Sequence, residues 1–224
     1  MLRYMNSSNR EVELVGKNLS PTINRLAIFL LKLFKVENTM NAIEPRIQPV
    51  DIKLEEPLKS KMAEIFPAEM PSPALYRTIA RNESLFIEMI DAKLIGPTGL
   101  LDRKTVPPKV RELLILRTCA LTRNEYEFNL HVQTISEAMG LSKEQIDDLK
   151  SENLTEHIWC ESEISLIHLV DGLVKDIDVQ QIIFENALKH FDESELIELT
   201  LLVGLYTSVA MVVALAKPKL DKYR

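Results

Sequence analysis

Glycine is scarce in this 224-residue chain, with six residues in all, and none falls in a dinucleotide fingerprint, a phosphate-binding loop or a Gly-Xaa-Ser-Xaa-Gly elbow. Several large enzyme classes drop out on that ground. Cysteine is scarcer still: Cys119 and Cys160 stand far apart without metal-type spacing, so neither a disulfide framework nor a zinc site is expected. That usage suits a reducing compartment, and a cytoplasmic location is expected. No Lys/Arg-rich run is present, and 27 basic against 33 acidic residues leave a net charge of −6. A nucleic-acid partner is therefore not expected. Strand-type alternation of useful length is absent too, which leaves an all-α reading.

Long apolar runs are few. Leu26 to Val36 is short and interrupted by Lys32 and Lys35, and no small-residue cleavage site follows it. Leu199 to Ala216 is free of charge and meets the minimum length of a membrane span. Thr200, Gly204, Thr207 and Ser208 within it suit close helix packing in a protein core or subunit contact, so no span is expected. The length suits one well-cored domain, assigned to residues 40–224, with residues 1–39 as an N-terminal extension. Met40, where the composition changes, is an alternative start. Six prolines between Pro45 and Pro73 predict extended segments and short helices there.

From Ser72 onward the chain reads as successive helices. Leu75, Ile79, Leu85, Phe86, Met89 and Ile90 form a first apolar set, closed by Gly96-Pro97. Pro107 and Pro108 suit the first turn of a helix from Lys109 to about Thr122, expected to be mostly buried. After the polar break Thr122-Arg123-Asn124, a second helix is expected to run to Gly140. Ser142 with Gln145 forms a capping box. A helix follows from about Glu161 to Lys175, Asp178 is expected to cap the next, and Asp192 with Glu195 opens the last, ending near Ala216.

The chemistry is concentrated in Pro108 to Gly140, where ionisable residues sit inside strongly apolar helices and need partners or a role. Glu127 and His131 are four residues apart on one helical face, where a carboxylate orients an imidazole and raises its proton affinity. Glu112 and Arg117 lie on the preceding helix, which the short break folds back alongside. An ion pair between Glu112 and Arg117 at a subunit contact is the structural alternative. His157, His168 and His190 read as surface or helix-end residues, Trp159 as a packing anchor, and Tyr206 as facing either core or pocket.

The runs RELLILR and NEYEF, His131 and the EAMGLS after it resemble the helical hairpin of the carboxymuconolactone decarboxylase and alkylhydroperoxidase D-like superfamily. FDESELIELTLLVGLYTSVAMVVALA resembles that superfamily's long closing helix, so the likeness extends over about residues 45 to 216. The resemblance implies an all-α bundle assembled as a homo-oligomer, trimer or hexamer, working without a metal or other cofactor on a small-molecule substrate. Aligned on His131, the two cysteines of the peroxidase branch fall on Asn124 and Glu127, and the upstream relay carboxylate on Glu112. The relay is kept and the thiols are not; neither an amide nor a carboxylate replaces a thiolate that attacks peroxide.

The pattern is thus closer to the decarboxylase-like branch. It implies a cofactor-independent lyase for a small carboxylated or lactone-type molecule, with His131, Glu127 and Glu112 in proton transfer. Loss of carbon dioxide leaves a carbanion, so such a site needs a cation for substrate carboxylates, donors for the oxyanion and a proton source. Arg117 and Tyr126 are assigned to substrate binding. The alternatives are an antioxidant protein using Cys119 or degenerated from one, and a non-catalytic scaffold. A small buried helix residue is the plainer reading of Cys119.

Overall fold

A computed structural model describes residues 44–67, 69–96 and 99–223. The described residues all belong to the second of two units, which begins at Glu44. The expected extension over residues 1–39, with its apolar stretch Leu26 to Val36, lies outside the described residues.

Among the described residues the second unit is all-α, with no strand. Its helices are α1 (Leu58–Ala63), α2 (Ala74–Ile79), α3 (Glu83–Asp91), α4 (Pro108–Leu121), α5 (Glu125–Thr134), α6 (Lys143–Asp148), α7 (Glu161–Lys175), α8 (Gln181–Ala187) and α9 (Glu193–Ala216). Proline at the first position of α4 gives up an N–H that has no helical partner there anyway. Every residue from Glu112 to Cys119 is buried, because α4 is the central helix and packs against α5, α7 and α9. A helix enclosed on all sides is apolar all round, which makes its two buried charges, Glu112 and Arg117, conspicuous.

Capping boxes open α6 at Ser142, α7 at Cys160 and α9 at Asp192. Each satisfies orphan donors at a helix start, typically for ~1 kcal/mol. The main core joins α4, α5, α7 and α9 through residues such as Leu113, Leu116, Leu166, Ile167, Leu199 and Leu202. A smaller core lies between α1 and α3 around Met62, Phe86 and Ile90. After α9 the chain reverses at Lys217, in the left-handed conformation. The tail then returns over α2 and α5, where Asp221 accepts from the Ala74 amide at 2.9 Å and from the Tyr126 hydroxyl.

Three helix bounds depart from expectation. The apolar set beginning at Leu75 is split into α2 and α3, with Asn82 capping the second. α5 ends at Thr134 and not at Gly140: the amides of Ile135 and Ser136 both bond to the His131 carbonyl, at 2.8 and 3.0 Å, and Ile135 leaves helical geometry. This wide terminal turn leads into Gly140, whose φ of +100° still redirects the chain. Asp178 does not cap α8, because its carboxylate takes the adjacent Val179 amide and Gln180 occupies the cap position.

Candidate functional site

The α4–α5 hairpin turns through Thr122, Arg123 and Asn124, with Arg123 in the left-handed conformation. Asn124 is the N-cap of α5 and accepts from the Glu127 amide at 3.2 Å. In a full capping box Glu127 would reach back to the Asn124 N–H. Here that N–H already bonds to the Cys119 carbonyl, at 2.8 Å. The Glu127 side chain is therefore released from capping and turned into the protein interior, where it is buried.

α4, α5, α9 and the turn after α5 bring the rest together. Glu112 accepts from His131 Nδ1, with its oxygens at 3.0 and 3.1 Å. Ser136 Oγ donates to Glu112 Oε1 at 2.6 Å, a position reached because α5 has just unwound. On the other side of the ring, Tyr206 of α9 places its hydroxyl 3.1 Å from Nε2. Glu127 Oε2 is 3.6 Å from the same nitrogen. The result is a chain running Ser136, Glu112, His131, Tyr206, with Glu127 beside its end. Among the described residues Glu127 Oε1 has no hydrogen-bond partner, nor has the side-chain Nδ2 of Asn124.

These environments drive the two carboxyls apart. Burial opposes ionisation of Glu112, but the charge and hydrogen bond of His131, the Ser136 hydroxyl and Arg111 outweigh it and hold its pKa below the usual carboxylate value. Glu127 has no such donors; burial pushes its pKa up, and the Glu112 charge adds to the rise while His131 only partly offsets it. His131 loses proton affinity to burial but regains more from Glu112 and Glu127, so its pKa is raised. Glu112 is thus pushed toward its ionised form, the imidazole toward its protonated form and Glu127 toward its neutral form. Titratable groups separated in this way are the signature of assigned acid and base roles.

A small cavity of about 20 Å³ adjoins Glu127 and Tyr206, room for about one water. Its remaining wall is apolar, from Leu75, Tyr76 and Ile79 of α2, Met89 of α3, and Leu205 and Val209 of α9. His131 reaches it only through Glu127 and Tyr206. A larger cleft of about 290 Å³ lies outside the hairpin turn, lined by Cys119, Asn124, Phe128, Arg123 and Lys150. The relay residues do not line that cleft.

The structure thus brings His131, Glu127 and Glu112 together and gives the other two assigned residues different work. Arg117 is buried, with Nε and Nη2 on Asp171 of α7 at 2.6 and 2.7 Å and Nη1 on the carbonyls of Leu149 and Ser151, both at 2.8 Å. Four of its five N–H donors are thus used within the protein, and Glu112 is not among their acceptors. Tyr126 donates to Asp221 and accepts from the Leu75 amide at 3.0 Å, which fastens the tail and the start of α2. Its hydroxyl is a clamp between the tail and α2. Cys119 is buried, and burial together with the charges of Glu127 and Glu112 pushes its thiol well above the ordinary range. A protonated thiol is a poor nucleophile.

Sequence reasoning missed Ser136 and left Tyr206 undecided. A hydroxyl inside an uncharged helix needs a buried partner, which was a usable signal for Tyr206. Ser136 carried none, since its contact depends on where α5 unwinds.

Residues 97–151, which span the hairpin and α6, match the model of the carboxymuconolactone decarboxylase family. The match covers about a quarter of the chain. The matched segment contains Glu112, Glu127, His131 and Ser136, while Tyr206 is supplied from outside it. No curated protein and no solved structure matches the chain.

Proposed function

We propose that this chain is a cofactor-independent lyase of the decarboxylase-like kind, acting by proton transfer on a small lactone-type or carboxylated molecule. The observation that carries the reading is Glu127: a buried carboxyl with one oxygen unpartnered, on the wall of an apolar cavity and 3.6 Å from the imidazole of a hydrogen-bonded relay. A neutral carboxylic acid in that position is a proton donor for the carbanion left when carbon dioxide departs. His131, held by Glu112 and Ser136, re-protonates it, and Tyr206 orients the exchange.

With Arg117 bonded to Asp171, no cation lines the cavity among the described residues. An apolar wall disfavours a substrate carboxylate and favours the neutral carbon dioxide it releases. The reading therefore points to a compact, mostly apolar substrate with at most the carboxylate it loses. At about 20 Å³ the cavity must widen to admit it. The redox alternative has a protonated, buried Cys119 against it.

The test is turnover of purified protein on a panel of lactones, keto acids and peroxides, with Glu127→Gln and His131→Gln as controls. Each substitution is expected to lower turnover on a lactone or keto acid by ~10²-fold or more while the helical content stays. Unchanged turnover in Glu127→Gln overturns the assignment, and peroxide consumption abolished by Cys119→Ser establishes the redox reading in its place.

A further inference from the structure

The cleft at the hairpin turn is larger than the cavity beside the relay, and the proposed chemistry makes no use of it. Its floor is apolar, from Cys119 and Ala120 of α4 and Phe128 of α5. Polar groups from three separate elements stand around that floor. Arg123 of the hairpin turn is exposed on one side. Lys150, from the turn after α6, holds its Nζ 4.6 Å from the centre of the Phe128 ring, and its contact with Asp147 is loose at 4.0 Å. The third is Asn124, on the wall at the start of α5.

Asn124 decides what the cleft is built to receive. It is 2% exposed, and two of its polar groups are occupied: Oδ1 accepts from the Glu127 amide, and the main-chain N–H donates to the Cys119 carbonyl. The bond to Glu127 fixes which side-chain atom is the oxygen. The group left over is therefore a donor, Nδ2, without an acceptor among the described residues. A buried donor left unpaired is costly and rare, and this one belongs to the wall of an open cleft, so the missing partner is an acceptor. The neighbouring charges give that acceptor its sign. Among the described residues on the wall, Arg123 and Lys150 outnumber the single acid, Glu125, and the first N–H groups of α5 add positive potential at the same end.

From these observations we propose that the cleft at the start of α5 binds a small organic monocarboxylate with a compact apolar body. The carboxylate accepts from Asn124 Nδ2 and pairs with Arg123 and Lys150, while the body lies over Ala120 and Phe128. At about 290 Å³ the cleft lies at the small end of ligand pockets and has room for more than a bare inorganic anion. Glu125 on the wall disfavours a dianion such as a phosphate. The site does not rest on the proposed lyase reading, since no relay residue lines it and occupancy is measured without turnover. Its occupant touches the residue that caps α5, the helix carrying Glu127 and His131.

Isothermal titration calorimetry of the full chain at neutral pH and low salt, with benzoate, benzamide and inorganic phosphate as probes, tests the site. Benzoate should bind with a Kd below ~1 mM. Benzamide has the body without the charge and phosphate the charge without the body; each should bind at least ~10-fold more weakly. Arg123→Gln and Lys150→Gln, both at exposed positions, should each weaken benzoate binding by ~10-fold, the scale of a charge-assisted hydrogen bond. Asn124→Asp keeps a good capping residue but replaces the donor with an acceptor, so binding should be lost while the helical circular dichroism spectrum stays. Glu125→Gln should tighten binding by ~2–5-fold, because a like charge leaves the wall. His131→Gln should leave benzoate binding unchanged; its loss there would place the ligand at the relay and overturn the separate site. No heat from benzoate, benzamide or phosphate binding as tightly, or unchanged affinity in both Arg123→Gln and Lys150→Gln would each overturn the proposal as well.

Discussion

Glu112 and Glu127 are the same side chain in two opposite conditions, and the difference lies in what each is given to bond. Glu112 receives two donors, one of them the His131 ring; Glu127 receives none on Oε1. The consequences for stability have opposite signs. Glu112, with its folded pKa below 4.5, stabilises the fold above that pH, and the contribution is lost as pH falls through the folded value. Glu127, raised above 4.5, contributes fully below that pH and loses it as pH rises through its folded value; His131, raised above 6.5, behaves likewise one step higher. Urea midpoints measured across this range should decline toward alkaline pH in the native chain. In Glu127→Gln the carboxyl part of that decline should vanish and the imidazole part remain. An identical profile in both chains would contradict a raised Glu127. Much of the relay was legible in the sequence: the spacing of Glu127 and His131 put them on one helical face, and the hairpin motif brought Glu112 to them. The charge states were not legible, because they depend on Ser136, on Tyr206 and on an N-cap amide already taken by Cys119.

At the level of elements, the hairpin works because α4 is enclosed and pinned. Arg117 ties α4 to α7 through Asp171 and to the segment after α6 through the carbonyls of Leu149 and Ser151. Arg117→Met should destabilise the protein by about 3 kcal/mol, because buried acceptors lose their donor. Chemical denaturation measures this; a loss below about 1 kcal/mol would show that Arg117 is not the pin. Periodicity and capping residues placed α4, α7 and α9 within a residue or two, since long buried helices write a strong pattern and their caps mark the ends. The misplacements were all at short-range choices. Asp178 satisfied a neighbour in place of a cap, and α5 unwound where two amides shared one carbonyl. Arg117 was misread for a related reason: sequence shows a buried cation but not which carboxylate, here 54 residues away on α7, receives it.

For the molecule as a whole, one layer holds the relay and another closes it. The α4–α5 hairpin carries Glu112, Glu127 and His131, α9 adds Tyr206, and α2 with α3 supplies the apolar wall. The family match covers the hairpin, while Tyr206 and the wall from α2 and α3 come from outside it. That division explains why the fold class and the hairpin were readable from the sequence and the pocket was not: a wall assembled from three separated helices has no local pattern. The account stands on Glu127 being a neutral acid beside an ionised Glu112. Infrared spectroscopy of the full chain at neutral pH tests it most directly. The expected result is a protonated-carboxyl stretch that disappears in Glu127→Gln and survives in Glu112→Gln; its absence from the native chain, or its persistence in Glu127→Gln with loss in Glu112→Gln, would contradict the account.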